Sequence, residues 1–346
     1  MTSLIDLICE LSDIPGVSGW EDPVRERIVS LVQEHCDSLH TDALGNLIAF
    51  KKGARRPKNK LLLSAHMDEV GFIITHIEED GLLRFANVGG IDTRVVVEKA
   101  VEVGPNRLYG AVGSKALHLH TEKEREEVAD LEKLFIDIGA RSKEEALEHV
   151  QLGDRAIFHA PFLSVGNDCV LGRAFDDRAG CALLVKLLQS DLPWDCHFAF
   201  TVQEETGCTG AAAVGYAVNP DIAIAVEATT ASDIGGVSGN KRVSCLGKGP
   251  VVSYMDNGTV YDSALYRLAF EVAKEEGIPC QTKTLVAGGN ESRSLQTAGT
   301  GARVMAVSLP CRYIHSPSNM LHKQDVEDTY RLLQALIRKL GNYESA

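Results

Sequence analysis

The chain has 346 residues, 45% of them hydrophobic, and a formal net charge of −13. Such a length and apolar content suffice for one large domain or two, while the acidic balance argues against nucleic acid and anionic membrane surfaces as partners. No apolar run approaches the roughly 20 residues needed to span a bilayer, and the start, Met1-Thr2-Ser3-Leu4-Ile5-Asp6, lacks the basic region of a secretory signal.

Leu4, Ile5, Leu7, Ile8 and Leu11 fall at helical spacing after Ser3, a good N-cap, and predict a helix over 3–13. Gly16-Val17-Ser18-Gly19 breaks it, and a second helix is expected from Pro23 to about Cys36. Short strands follow at 39–41 and 47–51, then a solvated basic loop at 55–60, then the apolar strand Leu61–His66. From about Val70 the texture changes to short alternating strands at 71–77, 82–87, 94–101 and 110–112, with glycines between them. That is the pattern of a small antiparallel barrel or sandwich. The charge run 121–133 reads as solvated surface, and strands at 133–138 and 155–159 flank a helix at 142–150 capped by Ser142 and Glu145.

After about Pro161 helices are expected at 177–188, 209–217, 262–276, 292–298 and 323–340, with strands at 196–203, 221–226, 281–285 and 302–309. The fold class is therefore α/β: a mixed-sheet α/β/α domain over 1–69 and 162–346, interrupted by a small β-barrel-like insert over 70–161. The nine cysteines are odd in number, widely spaced and without a C-x-x-C pair. They read as buried free thiols in a reducing compartment, so a cytoplasmic location is expected.

The chemistry concentrates at strand ends. Glu204 and Glu205 close an apolar run and precede Gly207; two acids there are costly unless paired, protonated or bound to a metal. His66 and Asp68 lie two apart at the end of another strand, on one side of the chain. The Asp can bind a metal or orient the His from behind. Asp176 and Asp177 precede a helix that Asp177 could simply cap, Glu227 follows the run Ile222–Val226, and His315 sits in Arg312-Tyr313-Ile314-His315-Ser316-Pro317. Ligands of open α/β sheets bind at the carboxyl ends of strands. Together these residues form a mixed nitrogen and oxygen donor set that suits zinc, cobalt or manganese. A shared carboxylate favours two ions about 3.5–4 Å apart gripping one water, and a free carboxylate beside them would move the protons of amide hydrolysis.

The ordered motifs Ala65-His66-Met67-Asp68-Glu69-Val70-Gly71, Phe175-Asp176-Asp177-Arg178, Val202-Gln203-Glu204-Glu205-Thr206-Gly207 and Arg312-Tyr313-Ile314-His315-Ser316-Pro317 resemble those of the M42 family of dinuclear metallo-aminopeptidases. Some members of that family carry the label of endoglucanase. The resemblance implies that Asp176 bridges two metals, His66 and Glu227 complete one, and Glu205 and His315 complete the other. It also implies that Glu204 is the general base, Asp68 orients His66, and the Asp176–Asp177 peptide is cis. It further implies zinc or cobalt as the ions, short peptides as substrates, and residues 70–161 as a dimerisation domain. A homo-oligomer is expected, with dimers assembling into a hollow dodecamer.

Two positions depart from the family's usual pattern. Glu227 replaces the commoner Asp, which keeps a metal-dependent deacylase or carboxypeptidase-like amidohydrolase as an alternative function. The segment Gly288-Gly289-Asn290-Glu291-Ser292-Arg293 differs from the usual Gly-Thr-Asp/Asn-Ala and is expected near the substrate. Arg94, Asn290 and Arg293 are candidate substrate contacts, and the two arginines would suit an acidic side chain. A metal-free glycoside hydrolase would need two carboxylates about 5–9.5 Å apart acting alone, and a non-catalytic binding protein would leave Glu204 without a role.

Overall fold

The computed structural model describes residues 2–344. Ser3 caps helix α1 (Leu4–Asp13) by accepting the Asp6 N–H at 3.1 Å, and Leu4, Leu7, Ile8 and Leu11 form its buried stripe. Helix α2 (Asp22–Val32) stops short of the expected Cys36, because Gln33, Glu34 and His35 are exposed and offer nothing apolar to extend its buried face. Strands β1 (Ser38–Thr41) and β2 (Leu47–Lys51) form an antiparallel pair, and β3 (Leu61–His66) is buried at every position.

Strands β4 (Gly71–Ile77), β5 (Leu83–Val88), β6 (Ala100–Val103) and β7 (Leu108–Gly113) follow. After the short exposed helix α3 (Glu122–Glu126) come β8 (Phe135–Asp137), α4 (Lys143–Leu147) and β9 (Arg155–Phe158). The six strands close into an antiparallel barrel in the order β4-β5-β8-β7-β6-β9. Phe72 anchors its core, with Phe85 and Phe158 edge-on at 5.0 and 5.1 Å. The strand expected over 94–101 is mostly absent: Asp92 accepts the Arg94 N–H at 2.9 Å and caps a 3₁₀ turn, Thr93–Val95, and pairing starts only at Ala100. The β-branched run misleads here because Val96 is drawn into the barrel core while the backbone turns.

The chain then forms β10 (Leu163–Val165), β11 (Cys169–Gly172), α5 (Phe175–Leu188), β12 (Cys196–Thr201), α6 (Thr209–Val218), β13 (Ile222–Thr230) and β14 (Val251–Val252). It ends with α7 (Ser263–Glu275), β15 (Gln281–Thr282), α8 (Ser292–Thr297), β16 (Arg303–Cys311), β17 (Asn319–His322) and α9 (Lys323–Leu340). The main sheet runs β1-β2-β12-β3-β13-β16-β14-β15, with β12, β3, β13 and β16 parallel, antiparallel pairs at β1-β2, β2-β12 and β16-β14, and a parallel pair β14-β15 at the far edge. The strand period of two divides its core. Leu61, Leu63, Phe198 and Ile224 face α1, α2, α5, α7 and α9, while Leu62, Ala199 and Ala223 face α6 and α8. Gly210 lets α6 approach the sheet, since a Cβ there would lie 2.4 Å from the Val202 carbonyl oxygen. A separate three-stranded sheet, β10-β11-β17, was not anticipated; its strands are too short for periodicity to register.

Candidate metal centre

Because β3, β12, β13 and β16 run parallel, their carboxyl ends share one edge. His66 ends β3 and pairs in register with Thr201, so the turn after β12 brings Glu204 and Glu205 beside it. Glu227 lies within β13 opposite Ser308, and His315 follows β16. Asp176 enters from the start of α5, where Asp176 and Asp177 are non-helical and joined by a cis peptide. The structure thus gathers His66, Asp68, Asp176, Glu204, Glu205, Glu227 and His315 from widely separated segments.

Asp176 stands between the two imidazoles. Its Oδ1 lies 3.4 Å from His66 Nε2, and its Oδ2 lies 3.4 Å from His315 Nε2. His315 Nε2 is also 3.3 Å from Glu205 Oε1. The far nitrogens are tied back to main-chain carbonyls, His66 Nδ1 to Asp68 at 3.1 Å and His315 Nδ1 to Gly90 at 2.8 Å. With Nδ1 donating, each neutral imidazole aims the lone pair of Nε2 at a carboxylate. Only a proton or a cation between them makes that favourable.

Asp68 organises the turn opposite. It accepts the Ser18 hydroxyl at 2.6 Å and the N–H groups of Glu204 and Glu205 at 3.0 and 3.1 Å, and its Oδ1 is 3.4 Å from His66 Nδ1. Left-handed backbone recurs around the site, at Ala174, Gln203, Cys208, Tyr313 and His315, with φ of 55, 55, 57, 61 and 57°. Such conformations are strained for residues with a Cβ and persist where the surroundings hold them. Glu21 accepts the Gln203 N–H at 3.1 Å, and Asn319 donates to the carbonyls of Tyr313 and Ser316 at 3.0 and 3.1 Å. Ser18, Glu21 and Asn319 carried no signal in the sequence: Ser18 acts through a carboxylate 50 residues away, and Glu21 and Asn319 act through main-chain contacts.

The charges are out of balance. Burial pushes Glu204 up, Glu205 up to about 8, and Glu227 well above the carboxylate range, with neighbouring carboxylates adding to each. Glu291, fully buried, is pushed up to about 7 by burial. Burial opposes the charged form of His66, yet Asp176 and Asp68 outweigh it and raise its pKa well above normal. His315 is likewise raised to about 9, Asp176 overcoming burial. Divalent cations would satisfy this acid excess without protons.

Among the described residues two groups of donor atoms lie within 4.8 Å of one another: His66 with Glu204 and Glu205, and Asp176 with Glu205 and His315. The donors therefore fit divalent ions. The second group coincides with the set implied for one metal. Glu227 belongs to neither, and its Oε1 instead accepts the Glu291 N–H at 3.2 Å. It still lines the common cavity, about 400 Å³, with His66, Asp176, Glu204, Glu205 and His315. Asn290 and Arg293 line that cavity too. Arg94 does not: exposed on the barrel, it is held by Asp92, which takes its guanidinium as well as its backbone N–H. A larger and more open groove of about 910 Å³, at the amino ends of β13 and β16, is lined by Lys58, Asp221, Arg303 and Glu344 and holds neither donor group.

The M42 glutamyl aminopeptidase family profile matches residues 45–332. The chain belongs to the M42 aminopeptidase family. It is therefore a hydrolase acting on peptide bonds, in a family of metallopeptidases. Among its relatives, the lysyl aminopeptidase of Pyrococcus furiosus is 31% identical, over 97% of both chains. Aminopeptidase APDkam598 of Desulfurococcus kamchatkensis is 32% identical, with a TM-score of 0.92 over 96% of this M42 chain and 94% of its own. The TET1 peptidase of Pyrococcus horikoshii, described as assembling into a tetrahedron or a large octahedral shell, is 35% identical, with a TM-score of 0.85 over 97% and 99%. All nine cysteines of the M42 chain are free, and no helix among its described residues is long and apolar enough to cross a membrane.

Proposed function

We propose that this M42 aminopeptidase depends on two divalent ions, zinc or cobalt, and removes N-terminal residues from short peptides. The observation that carries the proposal is the position of Asp176, each of whose oxygens faces a different imidazole. Asp176 would be shared, His315 and Glu205 would complete one site, and His66 and Glu227 the other. Two such ions, when bound, supply the Lewis acid that polarises the scissile carbonyl and brings water's pKa toward neutrality.

The protein's own groups do the rest. Glu204 takes a proton from the attacking water and delivers it to the leaving amine. Burial raises its pKa, which suits a group that must both accept and donate near neutral pH. Asp68 fixes the Glu204 main chain and orients His66. A deacylase or carboxypeptidase is favoured by nothing beyond Glu227.

We further propose that residues 70–161 form an inserted dimerisation domain between the two parts of a catalytic domain, 1–69 and 162–346. The described assembly of the TET1 peptidase supports a homo-oligomer here, with dimers building a dodecamer. The nine free thiols support a cytoplasmic location.

Elemental analysis of the purified protein, paired with aminoacyl-chromogenic substrates and N-acyl amino acids, tests the function. Two equivalents of metal and cleavage of free-amine substrates are expected. No turnover of any free-amine substrate, with zinc or with cobalt, would defeat it.

A further inference from the structure

Cys208 closes the turn that carries Glu204. Its N–H donates to the Glu204 carbonyl at 2.8 Å, and its thiol donates to the Glu204 Oε1 at 3.1 Å. Among the described residues no other group donates to that carboxylate. Asp68 fixes the Glu204 main chain, but a bond to the N–H leaves the side-chain torsions free to turn.

The backbone aims the thiol. Cys208 stands at the N-cap of α6 with φ 57° and ψ 35°, a left-handed conformation that costs a residue with a Cβ. An N-cap side chain ordinarily turns onto the first N–H groups of its own helix. This one caps none of them and turns back to Glu204. The helix does not need it, since the Thr209 and Gly210 N–H groups donate to the carbonyls of Gln203 and Val202 at 3.2 and 3.1 Å. Cys208 is buried, yet it lines the cavity with the metal-centre residues. Burial, reinforced by the Glu204 charge, holds its pKa far above the usual thiol value, so the sulfur keeps its proton and acts as a donor.

We propose that Cys208 is a positioning residue for hydrolysis: its thiol holds the Glu204 carboxylate in one orientation and leaves Oε2 to take the proton of the attacking water. This rests on the role proposed above for Glu204. A buried cysteine that only fills space would show none of the dependence on a donor described next.

Steady-state kinetics of metal-loaded Cys208→Ala and Cys208→Ser, on whichever amide the enzyme cleaves, aminoacyl-chromogenic or N-acyl, test the proposal. Alanine should lower kcat about tenfold, as expected for losing a hydrogen bond to a charged group. KM and metal content should stay within about twofold of wild type, the pattern of an interaction needed in the transition state alone. Serine keeps a donor and should recover most of the lost rate. An unchanged kcat in Cys208→Ala, a serine variant no faster than the alanine one, or a loss confined to KM or to metal content would overturn the proposal.

The infrared S–H stretch reads the contact without turnover. Subtracting the Cys208→Ala spectrum isolates the Cys208 band, first with Glu204 present and then in the Glu204→Gln background. The band should move to higher frequency with the amide, which accepts less strongly than a carboxylate. A band that stays in place would overturn the proposal. If the wild-type enzyme cleaves neither substrate class while the band moves, the hydrolytic function falls and the hold of Cys208 on Glu204 stands.

Discussion

Asp68 accepts the Glu204 backbone N–H at 3.0 Å, across a separation of 136 residues. One carboxylate therefore couples the end of β3, which supplies His66, to the turn that carries the proposed base. An amide in its place can offer only one acceptor oxygen and turns an NH₂ group toward a donor.

Asp68→Asn should therefore lower kcat/KM about 10–100-fold and reduce metal occupancy, the usual cost of losing a group that orients a ligand. Steady-state kinetics and elemental analysis read both. Wild-type values in each would show that the turn and His66 hold their places without the charge.

Glu204→Gln should retain metal while kcat falls about 10²–10⁴-fold, the range expected when a general acid–base group is removed. A parallel loss of metal would mean that Glu204 is a ligand, as its place in the His66 donor group allows.

Metal-free protein should lose stability as pH rises from 6.5 to 9. His315, raised to about 9, contributes stability that is complete below its unfolded pKa and is lost as pH passes through the folded value. Glu205, raised to about 8, acts in the same direction: the folded state binds its proton more tightly than the unfolded state, and deprotonation restores the repulsion with Asp176 and Glu204. Melting curves across that window should show a falling midpoint after chelation and a nearly flat one with zinc restored. A midpoint that rises with pH in the chelated protein would contradict the charge imbalance.

Arg178→Met should destabilise the fold by about 3–5 kcal/mol, because three main-chain carbonyls lose their donor and buried Glu69 is left with Arg173 as its one cationic partner. The guanidinium, fully buried, donates to the carbonyls of Leu11, Ile14 and Met67 and lies 3.3 Å from Glu69. Denaturant titration with metal bound measures the effect, and a loss below 1 kcal/mol would mean that the carbonyls find other donors.

Where a local pattern carries the information, sequence and structure agree. Helix α9 spans Lys323–Leu340 as its amphipathic period predicts, and α1 begins at its Ser3 cap. Strand β3 is buried throughout, as its apolar run requires. Disagreement appears where local preference is weak or overruled. The strand expected at 281–285 shrinks to Gln281–Thr282, because β15 sits at the sheet's edge with one neighbour. The Glu145 carboxylate, expected to cap α4, reaches the Arg141 N–H instead of the N-cap's own.

From the sequence alone came the kinds of element, the family resemblance, and a set of acids and imidazoles at strand ends. These follow from short-range periodicity and from the expense of burying charge, both legible within a few residues. Only the folded chain decided that Asp176 divides its oxygens between two histidines, that Glu227 turns to Glu291, and that Arg293 joins the cavity while Arg94 stays outside. Those outcomes depend on how segments far apart in the chain meet across a packed sheet, and no spacing along the chain encodes such a distance.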